Sequence, residues 1–106
     1  MYMIESEGHW PGLAKVIEET SELNVNLAKL MANNGNTNYW GDVDLIAAIE
    51  EELGDALAAI EYFVEANQHR ISDDAVDDRR IMKKNRFRQW AADPEIRNLP
   101  QEKHYV

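Results

Sequence analysis

Leu13, Val16, Thr20, Leu23, Leu27 and Leu30 recur at alternating steps of three and four, the spacing that lays a stripe along one side of a helix. The pattern predicts a first helix over residues 11–33, with Pro11 in its opening turn, where a missing N–H costs nothing. Asn33-Asn34-Gly35-Asn36-Thr37-Asn38 then interrupts the periodicity, as expected of residue types that favour turns. A second periodic run contains Leu45, Ile46, Ile49, Leu53, Leu57 and Ile60. It continues through Phe63 and Val64, predicting a helix from about Asp42 to Gln68. Ser72 or Asp73 suits the cap of a third helix, and Asp73, Asp74, Asp77 and Asp78 suit its positive N-terminal end. Ile81, Phe87 and Trp90 are its apolar side, as far as Ala92. Asp93-Pro94 and Leu99-Pro100 end the regularity. No strand pattern stands out, so the chain reads as a single all-α domain over residues 1–106, a helical bundle. Three such helices make a thin bundle. Val64, Ile71, Phe87 and Trp90 are more apolar groups than one copy covers, which predicts a homodimer or homotetramer.

Two acidic blocks interrupt the apolar pattern: Glu18-Glu19-Thr20-Ser21-Glu22 and Glu52-Leu53-Gly54-Asp55. Each sets two carboxylates three residues apart, which makes them neighbours on a helical surface. Glu19 lies roughly 60° from the centre of its helix's stripe, Glu22 about 120° and Glu18 about 160°. Glu52 lies about 80° from the centre of the second stripe and Asp55 about 140°. Ala48, Glu52, Asp55 and Ala59 form one strip, and the alanines leave room beside the acids. Gly54 costs helix stability, so a steric reason for it is expected. A run of acids on a helix is ordinarily a solvated face, and Glu50 and Glu51 read that way. Two pairs on consecutive helices, each at a core boundary, instead suggest a four-carboxylate cage for a hard divalent cation, Mg²⁺ or Mn²⁺ in its place.

Charge and composition narrow the remaining classes. Twenty acids against eleven bases give a net charge of −9, which disfavours general affinity for nucleic acid. There is no cysteine, hence no disulfide framework and no thiolate metal site. The three histidines, at positions 9, 69 and 104, lack zinc-ligand spacing, and no phosphate-cradling G-x-x-x-x-G-K-[ST] motif is present. Met1-Tyr2-Met3-Ile4-Glu5 has no signal-peptide character and no apolar run reaches bilayer length. The expectation is a cytoplasmic protein without membrane or nucleic-acid partners.

The two blocks resemble the signature of the MazG-like all-α nucleoside triphosphate pyrophosphohydrolases, E-E-x-x-E on one helix and E-x-x-D on the next. The similarity extends over roughly residues 13–90 and includes the Glu-Leu-Gly-Asp-Ala-Leu form of the second block. The spacing between blocks is at the long end of the family's pattern, because of the Asn-rich loop and Tyr39-Trp40. The resemblance implies that Glu19, Glu22, Glu52 and Asp55 bind Mg²⁺, with Glu18 as a further ligand or water-orienting base, so that Glu18 and Glu19 are the catalytic candidates. It implies cleavage of a nucleoside or deoxynucleoside triphosphate between its α- and β-phosphates, giving a monophosphate and pyrophosphate. The alternatives are a phosphoribosyl-ATP pyrophosphatase-like enzyme, a non-catalytic metal- or nucleotide-binding helical module, and an assembly protein whose acids are surface decoration.

Six of the eleven bases fall between positions 79 and 88, with no acid among them. Arg80, Lys84 and Arg88 share one helical face. The stretch Met82-Lys83-Lys84-Asn85-Arg86-Phe87 is similar to a lysine- and asparagine-bearing segment that follows E-x-x-D in the family. Arg80, Lys83, Lys84 and Asn85 are therefore the substrate-binding candidates, against a solvated basic face as the plain reading. His9, Trp10, Tyr39 and Trp40 are candidates to stack on a nucleobase, and Asn24 and Asn26 to hydrogen-bond one, although packing or solvation explains each of them more simply.

Overall fold

The structure is a computed structural model that describes residues 9–39, 43–93 and 95. Its elements run α1 (Leu13–Ala32), β1 (Asn38–Tyr39), β2 (Val43–Asp44), α2 (Leu45–Ala66) and α3 (Asp73–Ala92). The architecture is all-α, as the periodicity requires. The one addition is a minimal antiparallel pairing of β1 with β2, Asn38 opposite Asp44 and Tyr39 opposite Val43, inside the segment expected to be loop. The chain divides into two compact units, residues 1–70 and 71–106.

In the first unit α1 packs on α2, and the two run antiparallel. Pro11 falls one residue before the N-cap instead of inside the helix, and the left-handed Gly12 (φ +85°) takes the cap position. The reason is proximity. A Cβ on Gly12 would sit 2.9 Å from Cδ2 of Tyr62 and 3.4 Å from the Cα of Phe63, so the start of α1 lies almost on the backbone at the end of α2. Only glycine satisfies both the positive φ and this approach. At the other end Asn34 (φ 54°) and Gly35 (φ 84°) turn the chain, and the Gly35 N–H donates to the Leu30 carbonyl at 2.9 Å. Asp44, two residues later than expected, caps α2 by accepting from the N–H groups of Ile46 (3.0 Å) and Ala47 (3.3 Å).

The seam between α1 and α2 takes in only part of the large apolar side of α2: Ile49, Phe63 and Val64 are half-buried. The buried residues of α2 are Leu45, Ala56 and Ala59, while Ile46 (53 %), Leu53 (43 %), Leu57 (59 %) and Ile60 (39 %) stay exposed. The face of α2 turned to α1 is thus rotated by about 100° from that exposed line. On α1 the stripe does face inward: Leu13, Val16, Leu23 and Leu30 are half-buried. Thr20 joins them by donating its hydroxyl to the Val16 carbonyl at 2.6 Å, which satisfies the polar group within its own helix. Gly54 meets nothing within 4 Å of where its Cβ would be, so the steric reason expected for it is absent within the single chain's described residues.

The open end of the helix pair is closed by Asn67, which is fully buried. Its Nδ2 donates to the carbonyls of Pro11 (2.9 Å) and Phe63 (2.7 Å), tying the turn before α1 to the last turn of α2. Trp10 stacks on Phe63 with centroids 6.2 Å apart and planes 22° off parallel. The Arg70 guanidinium covers the same indole at 4.5 Å and donates to the His9 carbonyl. Trp10 is therefore committed to packing, and the nucleobase-stacking role weighed for it is not available in this arrangement. Trp40 lies outside the described residues, as does the side chain of Tyr39.

In the second unit, α3 begins where expected, with the Ser72 hydroxyl accepting from the Ala75 N–H at 3.1 Å. Asp73 and Asp74 occupy its first turn, where the helix dipole favours negative charge. No α3 residue is fully buried. Of the three residues expected on its apolar side, Ile81 (46 %) and Phe87 (45 %) are exposed and Trp90 is half-buried.

Removing the Asn67 side chain takes its donor from the part-buried Pro11 carbonyl, while the Phe63 carbonyl keeps the backbone N–H of residue 67 at 3.2 Å. Asn67→Ala is expected to lower unfolding stability by about 2 kcal/mol, read from urea denaturation. Asn67→Asp should cost more than alanine, because its carboxylate would face the Pro11 and Phe63 carbonyl oxygens. Equal stability of Asn67→Ala and the parent chain would remove the tie from this account.

Candidate metal centre

The antiparallel pairing brings the two acidic blocks to one level of the seam. Carboxylate oxygens of Glu19 and Glu22 on α1 and Glu52 on α2 all lie within 4.8 Å of one another. Glu52 sits near the middle of the face turned to α1, closer to the seam than its distance from the apolar stripe implied, because the seam follows the alanines. Glu19 and Glu52 are half-buried and Glu22 exposed. Oε2 of Glu19 and Oε2 of Glu52 are each shielded from solvent and have no hydrogen-bond partner. An acceptor in that state lacks a donor or a cation.

Asp55 is outside this trio and exposed. Its charge still reaches the trio, raising the proton affinity of both Glu19 and Glu52. Glu18 is turned away from the seam: its Oε1 accepts from Lys15 Nζ at 2.8 Å, in an exposed i,i+3 pair. Lys15 was not singled out from the sequence, although its spacing to Glu18 is the ordinary one for a helical ion pair.

Negative charge dominates the electrostatics of the trio, and Lys15 offsets it only in part at Glu19. Desolvation, then the charges of Glu22, Asp55 and Glu18, raise the Glu19 carboxyl above the usual glutamate range. Desolvation, then Glu22, Asp55 and Glu19, do the same for Glu52. Both causes disfavour the ionised form, and a bound cation would reverse both.

The basic segment, taken by itself, forms an open groove of about 510 Å³ on α3, lined by Ala75, Val76, Arg79, Arg80 and Lys83. Arg80 donates through Nε (3.0 Å) and Nη2 (2.7 Å) to Asp77 Oδ1, an exposed pair of small energetic weight. Burial, then the neighbouring Arg79 and Arg86, push the Lys83 ammonium below its ordinary pKa, and its Nζ lies 5.8 Å from the Phe87 ring centroid. Lys84 is exposed. Asn85 Oδ1 accepts from Arg88 Nη1 at 3.1 Å. Asn24 is exposed and Asn26 half-buried on α1.

Comparison with protein-family models, with curated proteins and with solved structures finds no match to this chain. The functional reading accordingly rests on its own residues. No helix among the described residues is long and apolar enough to cross a membrane.

The raised carboxyls carry a definite sign in pH. A carboxyl with a higher pKa folded than unfolded holds more protons in the folded state, so stability falls as pH rises through the interval between the two values. The destabilisation is absent below the ordinary value of 4.5 and complete above the raised folded values. The metal-free chain is therefore expected to gain thermal stability relative to Glu19→Gln/Glu52→Gln as pH is lowered from 7 into this window. A constant difference in Tm between the two proteins across the range would show that the pair does not repel.

Proposed function

We propose that this chain is a divalent-cation-dependent nucleotide pyrophosphohydrolase of MazG-like type, acting on a nucleoside or deoxynucleoside triphosphate as an oligomer. The observation that carries the reading is the convergence of Glu19, Glu22 and Glu52 within 4.8 Å, with two shielded oxygens lacking any partner. An all-oxygen, all-anionic donor set suits Mg²⁺ or Mn²⁺. Glu19, Glu22 and Glu52 would hold the ion and Asp55 would complete the set. When bound, the ion neutralises the carboxylates and polarises the phosphoryl oxygens of a triphosphate.

The chain's own residues account for the rest. The net charge of −9 repels a polyphosphate everywhere except beside bound cations and bases. Arg80, Lys83, Lys84 and Asn85 are assigned to the phosphates, where guanidinium and ammonium groups form charge-assisted hydrogen bonds. Water adds to the α-phosphorus, the bond from that phosphorus to the β-bridging oxygen breaks, and pyrophosphate leaves. A carboxylate accepts the proton of the attacking water. Of the two candidates for that role, Glu19 lies in the trio, whereas Glu18 is held by Lys15, so Glu18→Gln should retain more activity than Glu19→Gln.

Incubation with each nucleoside and deoxynucleoside triphosphate and Mg²⁺ should release a monophosphate and pyrophosphate, and EDTA should abolish the reaction. Glu19→Gln, Glu22→Gln and Glu52→Gln should each lower kcat/KM by more than roughly the hundredfold that marks the loss of a ligand-orienting group. Glu50→Gln should leave it unchanged. Orthophosphate release from the γ-position would contradict the reaction. A titration by calorimetry in which Mg²⁺ binds equally to the parent and to Glu52→Gln would contradict the site.

A further inference from the structure

The turn that ends α1 is built on an unusual residue. Asn34 is the one non-glycine with a positive φ (54°) among the described residues, and Gly35 follows it at 84°. The Asn34 N–H donates to the Met31 carbonyl at 3.1 Å and the Gly35 N–H to the Leu30 carbonyl at 2.9 Å. These are the two hydrogen bonds of a Schellman motif, with Asn34 in the left-handed position that glycine usually takes. The turn is also tied forward. The Asn36 N–H donates to the Asn33 carbonyl and the Leu45 N–H to the Thr37 carbonyl, each at 3.0 Å, and Leu45 is the fully buried residue that opens α2.

The same two residues form a reactive pair. The side-chain carbonyl carbon of an asparagine is an electrophile, and the backbone nitrogen of the next residue closes a five-membered ring on it. A glycine in that next place has no Cβ to obstruct the approach. Asn34 is the only asparagine of the chain that is followed by glycine. Both residues are exposed, so water reaches them.

We propose that Asn34 is a site of spontaneous deamidation whose rate is set by the opening of this turn. The Gly35 nitrogen loses its proton to solvent and bonds to Cγ of Asn34. The bond from Cγ to Nδ2 breaks, and the nitrogen takes up a proton and leaves as ammonia. The cyclic imide then adds one water at either of its carbonyls. One product is aspartate at position 34, and the other is isoaspartate, with the main chain rerouted through Cβ. In the folded turn both requirements of ring closure are withheld. The Gly35 N–H is engaged by Leu30, and closure needs ψ of Asn34 turned far from the left-handed value of about +47°. The chemistry therefore waits for the end of α1 to fray, an opening of low free-energy cost at a helix terminus. Either product sets a carboxylate at the C-terminal end of α1, where the helix dipole disfavours negative charge. The isoaspartyl product also lengthens the main chain inside the motif, so the spacing of its two donors is lost. The proposal depends on neither the metal site nor the reaction.

The test is incubation of the full chain at mildly alkaline pH, with and without denaturing urea, and peptide mapping by mass spectrometry at each asparagine. Isoaspartyl methyltransferase labels the rerouted product. In the native chain Asn34 should convert faster than Asn36, which is exposed in the same loop. Urea should speed conversion of Asn34 about tenfold or more, because opening the turn breaks two hydrogen bonds. In hydrogen exchange the aged chain should lose protection at the Gly35 amide, whereas Asn34→Gly, kept under the same conditions, should retain it. Conversion at Asn34 no faster than at Asn36 overturns the site. A rate unchanged by urea overturns the control by the turn, and an aged, isoaspartyl-containing chain that keeps its Gly35 protection overturns the structural consequence.

Discussion

The close approach of α1 to α2 is the constraint on which the rest depends. Gly12 lies against Tyr62 and the Phe63 backbone, Asn67 ties Pro11 to Phe63, and Ala56 and Ala59 are the small residues buried on α2. Small side chains let two helices come near, and near helices leave little room for water between them. That is what shields one oxygen on each of Glu19 and Glu52. Larger residues at positions 56 and 59 would hold the helices apart and leave the same carboxylates as ordinary solvated groups.

The same geometry sets stability against function. Carboxylate oxygens of Glu19, Glu22 and Glu52 lie within 4.8 Å of one another; desolvation, and then the neighbouring carboxylates, raise the proton affinity of Glu19 and Glu52. Each change favours the neutral form and so weakens the ionised fold. In the proposed function this cost is the condition for cation binding, because a site that strongly neutralised its own acids would leave a cation nothing to gain. Lys15 pairs with Glu18, and its charge offsets only part of what raises the Glu19 carboxyl.

Placing the seam along the alanines has a second consequence. Ile46, Leu53, Leu57 and Ile60 of α2 are left exposed, and α3 contributes no fully buried residue of its own. Among the described residues, the buried apolar side chains are Leu45, Ala56 and Ala59.

The sequence by itself determined the three helices to within three residues at each end, since their bounds depend on local signals: 3.6-residue periodicity, the Asn-rich breaker, and Ser72 as a cap. It also determined that Glu19 and Glu22 are neighbours, because residues three apart on one helix are neighbours under any packing. The rotation of α2 was not legible. Periodicity locates the apolar side of a helix, but only the packed pair shows that Leu45, Ala56 and Ala59 are buried while Ile46, Leu53, Leu57 and Ile60 stay exposed. Tertiary structure therefore decided that Glu52 stands in the seam, that Asp55 stands beside the trio and Glu18 away from it, and that Gly12 and Asn67 close the helix pair. These last two belong to contacts between positions more than fifty residues apart, and no local pattern in a chain encodes such a distance.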